Sequence, residues 1–527
     1  VSTDLWQQAN QQFQAKQFQA AKSTCEQLLA QQPEHAMAYC LLSSCFQNLN
    51  RPRLATFNAF QACKHASGSL AARDILAISS ACLAVGETFL GHSMLGYIDI
   101  EDKNSRETLL DVGRQYSAFE DQPTALRFIQ RAHAEGFNGW FANHILSIIF
   151  SFTGPVENAI SASESSISKN RLHGHAHWMR AQFGSKEGNA LRVARMREVL
   201  TQPGLTVDDN TYLQYALFKE LDATDDTQAA WPALLEGMKH RRSVLKFSIE
   251  RENLSFDNLI TATNNNFLEV PTKVPHEVTP IFVVGMPRTG TTLLERIIGN
   301  HPQITACGEL SDFKIQLQWA ADVPLPVQMH PEFGNLVSKI DFHLVGNRYL
   351  EKTHRLIEGR KFFSDKLPLN YLYAGLILKA IPHAKIINLR RHPMDACFSN
   401  MKELFAHHHY AYSYDMLEVA NHYRNYSRLM KHWHKIAPGR IIDVHYEHLV
   451  TQPEHEAKRV QEYLGLPEVE GVTDILANKR ITTTASTLQL RQPIHSKNMG
   501  GWKRYETQLE PMRLALLDVI EEYETLL

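Results

Sequence analysis

The chain has 527 residues, room for two or three domains, and a formal net charge of -2. That balance excludes bulk attraction to nucleic acid or acidic membranes but leaves room for a local basic pocket. No apolar run approaches the ~20 residues that a bilayer-spanning helix needs, and Val1–Ala20 is polar and amphipathic, unlike a secretory signal. The seven cysteines are scattered without a C-x-x-C pair, so a reducing, cytoplasmic setting is the expectation.

From the start of the chain, apolar residues recur at helical spacing and Pro and Gly fall mostly between the periodic segments. A period of about 34 residues is visible. One copy begins at Ala36, with Tyr39, Leu42 and Phe46 on a first helix and Ala55 and Ala62 on a second. Another begins at Arg106, with Leu109, Gly113 and Tyr116, then Ala125 and Ala132; an N-terminal copy has Ala9, Phe18, Ala21 and Pro33 in matching places. Small residues at these places let two helices cross closely. Residues 1–210 therefore resemble tetratricopeptide repeats, whose helix pairs stack into a solenoid suited to binding a protein or peptide partner. Residues 211–277 read as further helix and a linker without a usable motif.

Pro271, Pro275 and Pro280 mark a change. Beyond them, Ile281–Val284, Lys385–Leu389 and Arg440–Val444 read as strands, alternating with helical stretches such as Pro368–Ala380 and Glu418–Ile436. The pattern predicts an α/β domain over 278–527, a parallel sheet flanked by helices.

Directly after the first strand comes Gly285-Met286-Pro287-Arg288-Thr289-Gly290-Thr291-Thr292. Its glycines permit a tight turn whose amides can face an anion at the start of the next helix. A nucleotide-hydrolase loop would carry lysine where Thr291 stands, which argues against ATP or GTP; Arg288 can supply the cation instead. After the strand Lys385–Leu389 come Arg390-Arg391-His392-Pro393 and a helix bearing Ser399. Arg391 and Ser399 can hold a second phosphate away from the first loop.

The stretch Pro287–Leu293 resembles the 5'-phosphosulfate loop of the sulfotransferase family, and Arg391–Ser399 resembles its 3'-phosphate motif. Val444–Leu449, followed by Leu464–Pro467, is similar to the segment that closes the nucleotide site. His301-Pro302 and Cys307-Gly308-Glu309 look most like protein-tyrosine sulfotransferases. The resemblance implies transfer of a sulfuryl group from 3'-phosphoadenosine-5'-phosphosulfate to an acceptor hydroxyl, with no metal expected. A protein tyrosine, a sugar hydroxyl and a small phenol are all compatible acceptors. It implies nucleotide contacts from Arg288, Thr289, Gly290, Thr291, Thr292, Arg391, Ser399, Tyr446 and Lys497. It implies catalytic roles for Glu309 as base, Lys366 at the leaving phosphate and Ser486 at the transition state. Glu309 is a shift of one, because those enzymes use the second of two glutamates and Leu310 stands there. An atypical P-loop kinase and a non-catalytic repeat scaffold are the alternatives. His407-His408-His409 reads as a solvated or acceptor-lining loop, since three adjacent histidines on a regular helix cannot all face one ion. Cys307 and Cys397 read as packed thiols.

Overall fold

The computed structural model describes residues 2–184, 186–264, 266–268, 277–323, 331–405, 408–478, 480, 481, 483 and 487–527. Two compact units divide them: residues 1–170 with 314–325, and residues 171–313 with 326–527.

The first unit is helical. Its helices α1 (Ser2–Gln14), α2 (Phe18–Gln31), α3 (Ala36–Asn48), α4 (Pro52–His65) and α5 (Ala72–Ala84) are followed by α6 (Thr88–Leu95), α7 (Leu109–Ala118), α8 (Gln122–Ala134), α9 (Trp140–Thr153) and α10 (Val156–Lys169). Consecutive helices pack as pairs, α1 on α2 through α9 on α10. The small residues sit where the pairs cross: Ala9, Ala21, Ala55, Ala62, Ala125 and Ala132 are fully buried. A Cβ on Gly113 would lie 2.5 Å from Ile129 Cδ1. That distance explains why glycine stands in α7 despite its cost to a helix.

In the second unit, α11 (Gly174–Gln182), α12 (Asn189–Leu200), α13 (Val207–Asp222), α14 (Thr227–Ser243) and α15 (Ile249–Ala262) precede the sheet. They belong to the sheet's compact unit. Arg242 donates to both carboxylate oxygens of Glu418 at 2.8 Å, and Glu252 is 2.7 Å from His422 Nδ1. The strands are β1 (Thr279–Gly285), β2 (Ile304–Ala306), β3 (Phe362–Asp365), β4 (Lys385–Arg390) and β5 (Ile441–His445), all parallel, in the order β2-β3-β1-β4-β5. β1 is central and its Ile281–Val284 are fully buried, as a strand covered on both faces requires. Helix α16 (Thr291–Ile298) follows β1. The stretch from Pro368 begins as a 3-10 turn to Tyr373 before the α-helix Ala374–Ala380. Every strand points its C-terminal end the same way, so the loops after β1, β3, β4 and β5 meet at one edge, where ligands of such sheets bind.

Candidate active site

At that edge the loop after β1 is held by other segments. Gly285 (φ 151°) has no room for a side chain, because a Cβ would lie 2.4 Å from the Leu389 carbonyl oxygen. Gly290 (φ 105°) caps α16, and a Cβ there would lie 2.7 Å from Tyr446 Cδ2. Arg288 takes φ 66°, a left-handed conformation that costs an ordinary residue roughly 1–2 kcal/mol. Two side chains from beyond β4 hold it there. Arg391 Nη1 donates to the Arg288 carbonyl at 3.0 Å, and Asn400 Nδ2 donates to that of Pro287 at 2.8 Å. Thr289 spends its hydroxyl on the Met286 carbonyl at 2.7 Å, leaving its backbone N–H as what it can offer an anion. With these carbonyls engaged, the loop turns backbone amides at the start of α16 toward an anion.

The register sets Arg390 beside His445, which brings Arg391 against Tyr446. The Arg391 guanidinium lies over the Tyr446 ring at 4.7 Å and donates through Nη2 to the Asn498 carbonyl at 2.5 Å. It is 3.9 Å from Asp395, and its Nε has no partner among the described residues. Asp395 accepts from the backbone N–H groups of Gly500 at 2.6 Å and Trp502 at 3.3 Å, pinning the segment that carries Lys497. These parts enclose a cavity of about 440 Å³. Of the residues expected to bind nucleotide, Arg288, Gly290, Thr292, Arg391, Ser399, Tyr446 and Lys497 line it, while Thr289 and Thr291 do not.

Glu309 and Lys366 come together at the end of β3. Lys366 is fully buried and its Nζ lies 2.5 Å from Oε1 of the exposed Glu309. Glu295, on α16, supports both. Its Oε1 accepts from the Gly308 N–H at 2.9 Å and from the Ser364 hydroxyl at 2.7 Å, and the Lys366 N–H donates to the Gly308 carbonyl at 2.8 Å. The neighbouring Asp365 is buried. Desolvation pushes its carboxyl well above the usual range, and the Tyr349 hydroxyl donates to it at 2.9 Å. The Glu309–Lys366 pair does not line the 440 Å³ cavity. Ser486 and His407 lie outside the described residues. Burial pushes the Cys307 thiol up to about 12 and raises that of fully buried Cys397 as well, as packed thiols require. Among the described residues no three His, Cys, Asp or Glu side chains are grouped to hold a metal.

Phe218, Lys219 and Asp222 of α13 also line the cavity, as do Lys402 and Glu403; the sequence reading missed them. Phe218, Lys219 and Asp222 share one helical face, but that spacing reads equally well as a solvated face.

A glycine loop into a helix after the central strand, with a second cationic position after the adjoining strand, defines an α/β domain of the phosphate-loop type. Residues 280–470 match the model of the sulfotransferase family. An uncharacterized protein of Aquifex aeolicus (strain VF5) is 28% identical over 334 residues, 62% of this chain; the match spans only 43% of that relative's length. A Caenorhabditis briggsae protein named "Putative protein-tyrosine sulfotransferase" is 28% identical over 236 residues, 42% of this chain and 80% of its own. Among solved structures, the sulfotransferase domain from the Synechococcus PCC 7002 olefin synthase is 20% identical, covering 44% of this chain and 90% of its own, with a TM-score of 0.33.

Proposed function

We propose that the protein transfers a sulfuryl group from 3'-phosphoadenosine-5'-phosphosulfate to an acceptor hydroxyl. The observation that carries this reading is one cavity lined by both the Arg288–Thr292 loop and the Arg391–Ser399 pair. Two separated anion positions fit a nucleotide bearing phosphates at both ends of its ribose, and Thr291 stands where a triphosphate loop carries lysine. In this mechanism the acceptor oxygen bonds to sulfur as the bond from sulfur to the phosphate oxygen breaks. The acceptor proton passes to Glu309, and the electron pair stays on the phosphate, leaving adenosine 3',5'-bisphosphate. Arg288, on the cavity wall, meets the charge that develops on that phosphate, a role the family resemblance also assigns to Lys366. Lys366 also fixes Glu309 by one carboxylate oxygen, which leaves the other to take the proton.

Calorimetry tests the donor. Adenosine 3',5'-bisphosphate should bind far more tightly than ATP, with or without magnesium; ATP as the tighter ligand would overturn the reading in favour of a kinase.

For the acceptor we infer a protein tyrosine, the group named for the Caenorhabditis briggsae relative. The helix-pair unit recruits that protein. Phe57 and Phe60, half exposed on α4, support a recruiting role. Replacing both with serine should lower kcat/KM for the protein acceptor and leave that for a small phenol unchanged. Equal rates on both acceptors in the double variant would remove recruitment from the reading.

A further inference from the structure

Helix α13 lies outside the segment that matches the sulfotransferase family, yet it forms a wall of the nucleotide cavity. It is fastened at two points to segments that carry the site. The Tyr215 hydroxyl donates to the Met401 carbonyl at 3.1 Å, two residues beyond Ser399. Asp222 is 2.9 Å from Arg504 Nη1 and accepts from the Tyr505 hydroxyl at 2.7 Å, just beyond the Lys497–Trp502 segment. Lys219 stands between these anchors, on the face of α13 that lines the cavity. Lys402 approaches the same space from the turn after Ser399.

The partners of these two ammonium groups are weak for buried cations. Lys219 donates to the Gln182 side-chain oxygen and lies 5.2 Å from the Trp178 ring centroid. Lys402 lies 4.5 Å from the Phe398 ring centroid. The acidic groups on the cavity wall are shared with other partners: Asp222 with Arg504 and Tyr505, Asp395 with the Gly500 and Trp502 amides, and Glu403 with Arg288 at 3.7 Å. Desolvation pushes the Lys219 ammonium down to about 8 and lowers that of Lys402 too; Glu403 and Asp222 near Lys219, and Asp222 and Asp395 near Lys402, pull the other way without offsetting it, so each cation lacks a full counter-charge. A phosphate dianion seated beside Ser399 would supply that counter-charge to both.

We propose that Lys219 is a specificity residue of the nucleotide site, forming with Lys402 a pair of cations that selects nucleotides carrying a second phosphate on the ribose. This rests on the donor reading above. It makes α13 part of nucleotide recognition rather than a connection between domains.

The test is calorimetric titration of the full chain and of Lys219→Met with adenosine 3',5'-bisphosphate and with adenosine 5'-phosphate. The variant should bind the bisphosphate ~10–100-fold more weakly, the range of a lost charged hydrogen bond, with little change for the monophosphate. Lys219→Arg should keep most of the preference. Lys402→Met should repeat the pattern, and it carries the test if Lys219→Met does not fold. Unaltered preference in the methionine variants would overturn the assignment, as would equal loss of both nucleotides, which would make α13 a seal only. A wild-type chain with no preference for the bisphosphate would remove the donor reading and this proposal with it. A wild-type preference that survives in Lys219→Met removes the assignment alone.

Discussion

Between Leu109 and Ala134 the helix-pair unit buries Leu109, Val112, Ala125, Ile129 and Ala132, and Gly113 fits against Ile129 at the crossing. Around the strand ends of the other unit the buried residues include Lys366, Asp365, Glu295 and Arg391. Removing an ion from water costs several kcal/mol even when it is paired. The helix pairs bury mostly apolar side chains, with a few hydrogen bonds such as that of the Ser79 hydroxyl to the Gly91 carbonyl at 2.7 Å, and meet less of that cost. The sheet-bearing unit gathers several of its buried charges at one edge, where the loops of four strands converge, beside others such as the Arg192–Glu220 pair between its helices. Charge buried at one edge of an otherwise apolar sheet is expected where a reaction must develop charge away from water. The contrast sets small apolar residues packed at helix crossings against buried charge gathered at the strand ends.

The sharpest break in that comparison is Glu309→Gln. It should leave bisphosphate binding intact and slow transfer by ~10²–10⁴-fold, the usual share of a positioned base; single-turnover rates on the true acceptor check it, and near-normal turnover would move the base elsewhere. Next is Arg391→Ala, which should cost about 1.5–3 kcal/mol of bisphosphate binding, read by calorimetry. A smaller effect belongs to the helix pairs. Gly113→Val should destabilise the helix-pair unit by about 1–3 kcal/mol through overpacking against Ile129, measured by urea denaturation, with bisphosphate affinity unchanged. The smallest effect concerns Cys307. Its raised pKa of about 12 keeps the thiol protonated, so its alkylation rate should climb roughly tenfold per pH unit from about pH 7 to 10 without levelling off. An ordinary thiol, near 8.5, levels off within that range. Peptide mapping by mass spectrometry reads the difference.

The sequence made the phosphate loop legible because strand, glycines and helix are contiguous there. Three strands were equally plain as apolar runs. β2 and β3 were not: β2 has three residues, and β3 ends in Ser364 and Asp365, polar residues that read as surface. Both are fully buried, one bonded to Glu295 and the other to Tyr349. The Glu309–Lys366 contact was hidden for the same reason. The two residues are 57 positions apart and meet only through the pairing of β2 with β3. Glu309 and Lys366 were each suggested by resemblance, while their ion pair belongs to the fold. The α13 wall had no signal at all, since a lysine and an aspartate on one helical face are what any solvated helix offers.

The strand order carries a consequence for biosynthesis. β1 is made first, yet its two partners in the sheet are β3 and β4, and Gly285 pairs with Leu389 about a hundred residues later. At a synthesis rate of ~5–20 residues per second, β1 waits ~5–20 s for that neighbour. Until β3 emerges, Ile281–Val284, fully buried in the finished sheet, have no strand partner, and until β4 emerges one edge of β1 stays unpaired. A nascent chain of this order depends on shelter by the ribosome or a chaperone during that interval. Slowing translation between 286 and 384 should therefore lower the yield of folded protein more than the same delay placed after β5.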